Sequence, residues 1–214
     1  MTTNARLKTA IALNAAIVVM ETWALAFSMA KNGPIENYVF YTQCSNLMGA
    51  LASLACMVAQ IRQLHDGHPL GRGLRWFKFA SVCCTAMTFF VVLLVLLPMM
   101  ENAGMPGWHF LYVDGSKSIT HLVGPILIFF SYIFFEADRD MTILQSLVGL
   151  IFTLAYAAVA YICNYLLLWD GPYPFFQVWD MFLWQTLLWF VALFILAFAI
   201  CQMPRLLGRR FCRE

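Results

Sequence analysis

The sequence predicts an all-α, polytopic membrane protein with six transmembrane helices, and three observations support this class. Hydrophobic residues make up 62% of the 214 residues, whereas charged residues make up only 11%, far below the roughly 25% typical of soluble domains. Six apolar segments are each long enough to cross a bilayer, which takes about 20 helical residues. Basic residues also collect on alternate connections between these segments. We therefore expect a single six-helix transmembrane domain over residues 1–214.

Turn-forming residues separate the predicted helices. The helices cover residues 9–30, 38–61, 79–99, 118–135, 142–168 and 180–203. Lys-Asn-Gly-Pro at 31–34 ends the first, a Gly- and Pro-containing loop at 65–73 follows the second, and Asp-Gly-Pro at 170–172 closes the fifth. Arg6 and Lys8 precede the first helix, as basic residues precede the apolar region of a signal peptide. Because its apolar run exceeds the roughly 7–15 residues of a signal sequence, we expect an uncleaved helix.

The placement of the basic residues predicts the orientation. Eleven of the 13 lysines and arginines fall on one side of the predicted bundle, whereas Lys31 and Lys117 fall on the other. The eleven are Arg6, Lys8, Arg62, Arg72, Arg75, Lys78, Arg139, Arg205, Arg209, Arg210 and Arg213. The positive-inside rule then places both termini in the cytoplasm, and we expect the plasma (inner) membrane as the location. A net charge of +2 is too small to suggest a nucleic-acid partner.

The second helix carries polar residues where the sequence reads FYTQCSN, at 40–46. With a helix start near Tyr38, Thr42 lies about 6 Å inside the non-cytoplasmic face. The polar residues repeat at helical spacing and share one face. This face comprises Thr42, Ser45, Asn46, Gly49 and Ser53. We expect it to point into the bundle.

His121 lies one turn inside the fourth helix, at a similar depth on the same side. An ionisable residue within a span is a functional candidate, because its burial is costly without a partner. Pro125 lies four residues further on and has no N–H group. We expect the helix to kink there and to leave the His121 carbonyl free.

A hydroxyl and an imidazole at one depth suggest a nucleophile and its base. Thr42 would attack an ester carbonyl, and His121 would take its proton and return it to the leaving alcohol. Candidates for substrate contact or for donation to the oxyanion are Ser45, Asn46, Tyr173 and Pro125. Asp114 or Asp170 would orient the histidine, or the two residues act as a bare dyad. The predicted reaction is hydrolysis of a lipid ester that arrives sideways from the bilayer, with no cofactor and no metal.

Three short motifs lie in order on the expected helices: FYTQCSN at 40–46, HLVGP at 121–125 and YPF at 173–175. Together they resemble the androgen-induced-gene family of six-helix membrane proteins and its bacterial relatives, over nearly the whole chain. The resemblance implies a threonine hydrolase that cleaves fatty acid esters of hydroxy fatty acids. It also implies that Thr42 is the nucleophile and His121 the base.

Four residues are weaker candidates. Cys44 is a possible nucleophile, but two residues along a helix turn it about 200° away from the Thr42 face. Glu21, in the first helix, is the only charged residue inside a predicted span, and it would support His121 or lock helices together. His109, in a loop beside Trp108, would touch the site or lie at the membrane interface. Asn164 belongs to a helix-contact seam or lines the cavity. No comparable polar gathering is expected on the cytoplasmic side.

Two other functions remain open from the sequence. A small transporter or channel would need paired charges at mid-membrane, broken helices or an internal repeat. A non-catalytic lipid-binding protein would keep the same fold without the reaction. Labelling by a fluorophosphonate would separate the hydrolase from both.

Overall fold

The computed structural model describes residues 3–113 and 115–212. This part of the chain is 84% helical and contains no β-strand, which confirms the predicted all-α class. Long apolar stretches favour helices because a helix satisfies every backbone hydrogen bond internally, which a lipid environment demands.

Six helices are long and apolar enough to cross a membrane, as predicted. They are α1 (Asn4–Asn32), α2 (Tyr41–Asp66), α3 (Arg72–Asn102), α4 (Ile119–Glu136), α5 (Ile143–Tyr165) and α6 (Leu183–Phe211). Short helical turns occupy Glu36–Val39, His109–Val113, Pro174–Phe176 and Val178–Asp180 in the connections. Each predicted segment overlaps one of the six helices.

Helix boundaries differ from the hydropathy limits at both ends of the bundle. α2 begins at Tyr41 rather than at 38, because Glu36–Val39 forms a separate 3₁₀ turn and Phe40 is extended, with φ −86° and ψ 127°. α3 begins at Arg72 rather than at 79, and α6 runs to Phe211 rather than to 203. Backbone hydrogen bonding continues into polar sequence there, beyond the stretch that hydropathy alone detects.

α3 forms the centre of the bundle and packs against α2, α4, α5 and α6. Phe79, Val82 and Cys84 on α3 are completely buried. In contrast, α6 presents large apolar side chains outward, including Leu187, which is 56% exposed. An exposed face of this kind suits contact with lipid chains, since exposing so large an apolar surface to water would be unfavourable.

The two ends of the bundle are distinct. Arg6 donates to Cys212 Sγ at 3.4 Å, so both ends of the described chain lie together. The connection at 137–142 lies there too, and it is pinned by Arg72 Nε and Trp76 Nε1, each 2.9 Å from Asp138 Oδ2. Burial raises the pKa of Asp138, but these two hydrogen bonds outweigh it, and the net pKa is lowered. We call the opposite end, with connections 33–40, 103–118 and 166–182, the loop end.

The end of the bundle that holds the termini contains a buried polar network that the sequence interpretation missed. The Lys78 ammonium donates to Asn14 at 2.9 Å and to Ser53 at 2.6 Å. The Glu136 carboxylate accepts from Asn14 at 2.6 Å and from Gln60 at 2.9 Å. Ser131 also donates to Glu136. None of these side chains is more than 1% exposed. The expectation of no polar gathering on this side is therefore wrong. Glu21 is the only charged residue inside the predicted spans, but the helices themselves contain more. Lys78 and Glu136 lie beyond the apolar stretches but inside the helices. Arg213, one of the basic residues on this side, lies outside the described residues.

Candidate active site

The polar residues of the loop end surround one large cavity. A volume of about 710 Å³ there is open to the centre of a water molecule. Thr42 of α2, His121 of α4 and Tyr173 of the 166–182 connection all line it. Three separate parts of the chain therefore contribute to one space. We call this space the large cavity. It brings together the two residues predicted as nucleophile and base.

Thr42 lies in the first turn of α2, not one turn inside it, because the helix starts at Tyr41. No side chain caps this helix start. The first N–H groups of a helix have no partner within the helix, and they carry partial positive charge. Thr42 is only 5% exposed, and its position at the helix start places it beside backbone groups that favour negative charge.

Tyr173 lies over the start of α2. Its hydroxyl interacts with the side chain of Thr42 and with the backbone of Tyr41 and Thr42. Burial raises the pKa of the Tyr173 phenol, and these interactions with Thr42 and Tyr41 oppose the shift only in part. The phenol therefore stays protonated at neutral pH and can donate a hydrogen bond. Its ring stacks on Phe175, with centroids 5.3 Å apart, which holds the hydroxyl in place.

His121 is held in a defined orientation by the loop above it. Its Nδ1 lies 2.6 Å from the carbonyl oxygen of Leu111. Since a carbonyl can only accept, Nδ1 carries the proton and the Nε2 of a neutral ring is left as the acceptor. The Tyr112 ring meets the imidazole edge-on, with the two ring centroids 6.5 Å apart. In its neutral form, His121 therefore presents Nε2 as the basic nitrogen.

The Leu111 carbonyl is the orienting partner that the sequence could not identify. The two carboxylates considered for that role do not fill it among the described residues. Asp170 is exposed and does not line the large cavity, and Asp114 lies outside the described residues. The loop run WHFLYV at 108–113 is unusually apolar for a connection. That composition was the available sign that this loop packs against the bundle.

Asn46 links the turns that carry Thr42 and His121, and it does not line the large cavity. Its amide nitrogen donates to the Thr42 carbonyl at 2.7 Å and to the Thr120 carbonyl at 3.1 Å. Both carbonyls contact the same nitrogen, so the start of α2 lies beside the start of α4. The amide hydrogens are thus occupied, and Asn46 is a positioning residue, not the predicted oxyanion donor.

Ser45 also has its hydroxyl engaged within the bundle. Its Oγ lies 3.0 Å from the Thr42 carbonyl and 2.8 Å from Thr88 Oγ1. It is fully buried and does not line the large cavity. This corrects the prediction that Ser45 donates to the oxyanion.

Pro125 follows a change in the hydrogen-bond register of α4, and it does not line the large cavity. Residues Ile119–Val123 form a wide π-helical turn, and the Gly124 N–H bonds to the Ile119 carbonyl. In this register Pro125 lies opposite the Thr120 carbonyl, which accepts from Asn46 instead. Pro125 itself lines a small apolar cavity elsewhere.

The remaining candidates lie apart from the large cavity. The Cys44 thiol donates to the Tyr38 carbonyl at 3.2 Å, away from the Thr42 face. His109 is exposed in the loop. Asn164 Oδ1 accepts from the Val178 N–H at 2.8 Å, which ties the 166–182 connection to α5. Within the described residues no group of three His, Cys, Asp or Glu side chains comes together as metal ligands would.

Gln43 is a cavity residue that the sequence interpretation passed over. Its side chain lines the large cavity, and its Oε1 atom is buried with no hydrogen-bond partner among the described residues. It lies in the motif FYTQCSN, directly after Thr42. Gln43 is therefore placed to contact a polar group of a bound molecule.

Glu21 is buried against Gly124 and does not line the large cavity. It is 0% exposed, and neither carboxyl oxygen has a hydrogen-bond partner in the described part of the chain. Its carboxyl group fills the space where Gly124 has no side chain. Because Gly124 lies three residues after His121, this contact holds the wide turn that carries His121.

Gly124→Ala is expected to destabilise the protein by about 1–3 kcal/mol, the usual effect of overpacking. The added Cβ would clash with the Glu21 carboxyl and lie 2.9 Å from the Ile119 carbonyl. Thermal unfolding in detergent measures the effect. Gly73→Ala is the matched control, because a Cβ there meets nothing within 4 Å. A Gly124→Ala protein as stable as the control would mean that Glu21 does not occupy this space.

Comparison with known proteins provides no relative: no family model, no curated protein and no solved structure matches the chain. The function is therefore argued from the site itself.

Proposed function

We propose that the protein is a membrane-embedded lipid ester hydrolase with Thr42 as nucleophile and His121 as base. The observation that carries the proposal is the common cavity. Thr42 and His121 line one space at the loop end, with Thr42 on a helix start and His121 presenting Nε2. A weak hydroxyl nucleophile needs such a base.

The reaction proceeds in two steps. In the first, His121 Nε2 takes the Thr42 proton while Oγ1 attacks the ester carbonyl carbon. The oxyanion receives hydrogen bonds from the Thr42 N–H and the Tyr173 hydroxyl, and the intermediate then collapses to acyl-Thr42. His121 gives its proton to the departing alcohol. In the second, His121 takes a proton from water, the hydroxide cleaves the acyl-threonine ester, and the proton returns to Thr42 as the fatty acid leaves.

The substrate class follows from the motifs. FYTQCSN, HLVGP and YPF resemble the androgen-induced-gene family, and we propose a shared ancestry with it. On that basis the substrates are fatty acid esters of hydroxy fatty acids or similar lipid esters taken from the bilayer. We also propose that both termini are cytoplasmic and that the protein lies in the plasma (inner) membrane, following the eleven-to-two distribution of basic residues.

A transport function is the second candidate, and the Lys78 and Glu136 network favours it. Paired charges inside a span are a feature of ion and proton pathways. However, the network residues hydrogen-bond to one another, and neither Lys78 nor Glu136 lines the large cavity. A non-catalytic lipid-binding protein is the third candidate. Turnover separates the hydrolase from both.

Purified protein in detergent is expected to release fatty acid from a fatty acid ester of a hydroxy fatty acid, followed by mass spectrometry. Thr42→Ala should abolish turnover, since it removes the nucleophile, whereas Thr42→Ser should retain part of it. Cys44→Ala is the matched control and should keep wild-type activity. A fluorophosphonate should label Thr42. Neither turnover nor labelling in the wild type would reject the hydrolase, and loss of turnover in Cys44→Ala alone would move the nucleophile to the thiol.

A further inference from the structure

A second, apolar space begins at Thr42. It shares Thr42, Tyr173 and Leu96 with the large cavity and continues between α3, α5 and α6. We call it the apolar slot. Thr42 and Tyr173 therefore lie in the wall between the two compartments. An ester whose carbonyl lay at Thr42 would have its acyl chain on one side of this wall and its alcohol on the other.

The slot runs down into the bundle from the loop end. On α6 it is lined by Phe190, Leu193, Phe194 and Ala197, which repeat at helical spacing on one face. This face extends over roughly 10 Å at 1.5 Å per residue. Met87 of α3 is buried at the same lower end as Ala197. We take these two residues as the floor of the slot.

Two threonines of the lining have hydroxyls that are already hydrogen-bonded. Thr88 Oγ1 is bonded to Ser45 at 2.8 Å, and Thr153 Oγ1 is bonded to the Tyr41 hydroxyl at 2.7 Å. Away from Thr42 and Tyr173, the other lining hydroxyls belong to Tyr156 and Tyr161, which donate to the carbonyls of Val39 and Phe175. The rest of the lining is aliphatic or phenylalanine. Such a surface gains free energy only from burying hydrocarbon.

The two compartments differ about tenfold in size. The volume open to the centre of a water molecule is about 70 Å³ in the slot and 710 Å³ in the large cavity. The slot is thus the smaller compartment, and its mainly apolar lining suits a hydrocarbon chain better than a polar headgroup. Phe190 and Phe194 are 46% and 41% exposed on the outside of the bundle, so the slot borders on lipid between α5 and α6.

We propose that the apolar slot binds the unbranched acyl chain of the ester, and that its floor at Met87 and Ala197 sets the preferred chain length. This inference rests on the proposed function, because it places the ester carbonyl at Thr42. The leaving alcohol occupies the large cavity.

The chemistry fixes which part of the ester lies on which side. The departing alcohol oxygen must take a proton from His121, and His121 lines the large cavity but not the slot. The alcohol oxygen therefore lies on the large-cavity side of Thr42. The acyl chain extends from the opposite side of the carbonyl carbon, into the slot.

Chain-length profiles test the assignment when the wild type turns over. The substrates are 4-nitrophenyl esters of acetic, butanoic, octanoic and dodecanoic acid, which share one alcohol. Ala197→Phe fills the floor, and we expect it to lower kcat/KM for the octanoyl ester at least about tenfold while sparing the acetyl ester. Ala199→Phe is the control, because Ala199 is exposed on the same helix. Ala157→Leu, in the α5 wall, replaces Ala197→Phe if that variant does not fold.

A second readout needs no turnover. A fatty acid with a diazirine at its chain end is photo-crosslinked to Thr42→Ala protein, and labelled peptides are mapped by mass spectrometry. We expect labels at Met87 or Ala197, lost when Ala197→Phe is added and kept when Ala199→Phe is added. Labels that do not respond to Ala197→Phe, or an unchanged chain-length profile in an active enzyme, overturn the slot assignment. An inactive wild type whose slot is labelled rejects the hydrolase and leaves the acyl-binding slot standing.

Discussion

Replacing His121 with asparagine is expected to lower the rate of ester hydrolysis by about 10²–10⁴-fold while the protein still folds. The expectation follows from the different tasks of the two ring nitrogens. Nδ1 donates to the Leu111 carbonyl at 2.6 Å and anchors the loop, whereas Nε2 is the nitrogen that we propose as the base. The asparagine amide nitrogen occupies the place of Nδ1 and keeps that hydrogen bond, but no basic atom replaces Nε2.

Two measurements on each variant separate these tasks: the rate of fatty acid release and the midpoint of thermal unfolding in detergent. His121→Asn should lose activity at nearly wild-type stability. His121→Leu should lose both, because the Leu111 carbonyl then has no donor, which costs about 1–3 kcal/mol. His109→Asn is a control, since that histidine is exposed in the loop that carries Leu111. A His121→Asn enzyme within twofold of wild type would show that His121 is not the base.

The sequence predicted the all-α fold and the common depth of Thr42 and His121 because both depend on short-range patterns. Hydropathy over about 20 residues located the six long helices of the described chain. The spacing of Thr42, Ser45 and Asn46 identified the inward face of α2, and all three are buried. The restriction of charged residues within spans marked His121, which lines the large cavity. None of these arguments needs to know how the helices pack.

The roles of individual polar groups could not be predicted, since they depend on contacts between distant segments. Asn46 donates to the carbonyl of Thr120, 74 residues away along the chain. It therefore links two helices, whereas the sequence suggested that it donates to the substrate. The partner of His121 is a backbone carbonyl, which has no sequence signature. The later start of α2 arises from the conformation of Phe40. That one boundary changes Thr42 from a residue inside the helix to one at its positively polarised start.

The buried network escaped prediction for a different reason. Lys78 and Glu136 flank the apolar stretches, where basic and acidic residues usually reach water at a membrane surface. Here the helices continue beyond those stretches, and four of them bring six polar side chains together. Asn14 belongs to α1, Ser53 and Gln60 to α2, Lys78 to α3, and Ser131 and Glu136 to α4. Lys78 and Glu136 are opposite charges linked through Asn14.

Lys78→Met is therefore expected to be the most destabilising single change in the bundle, at about 3–5 kcal/mol. Removing the ammonium leaves the Glu136 carboxylate buried without a positive charge, and Asn14 and Ser53 each lose a donor. For a chain of this size the midpoint of thermal unfolding should fall on the order of 10 °C. Lys8→Met is the matched control, because Lys8 is exposed on α1. An equally small effect of both changes would mean that the hydrogen bonds of Lys78 to Asn14 and Ser53 do not stabilise the bundle.

The double variant Lys78→Met with Glu136→Gln tests whether the two charges stabilise each other. The glutamine oxygen can still accept from Asn14 and Gln60, and no uncompensated charge then remains. We expect the double variant to be more stable than Lys78→Met alone, since replacing both members of a buried pair often costs little. If the two single effects simply add, Lys78 and Glu136 act independently and the network is only a set of local hydrogen bonds. A double variant that keeps full hydrolase activity would also separate the network from catalysis, as expected if its role is to fix the helices that carry Thr42 and His121.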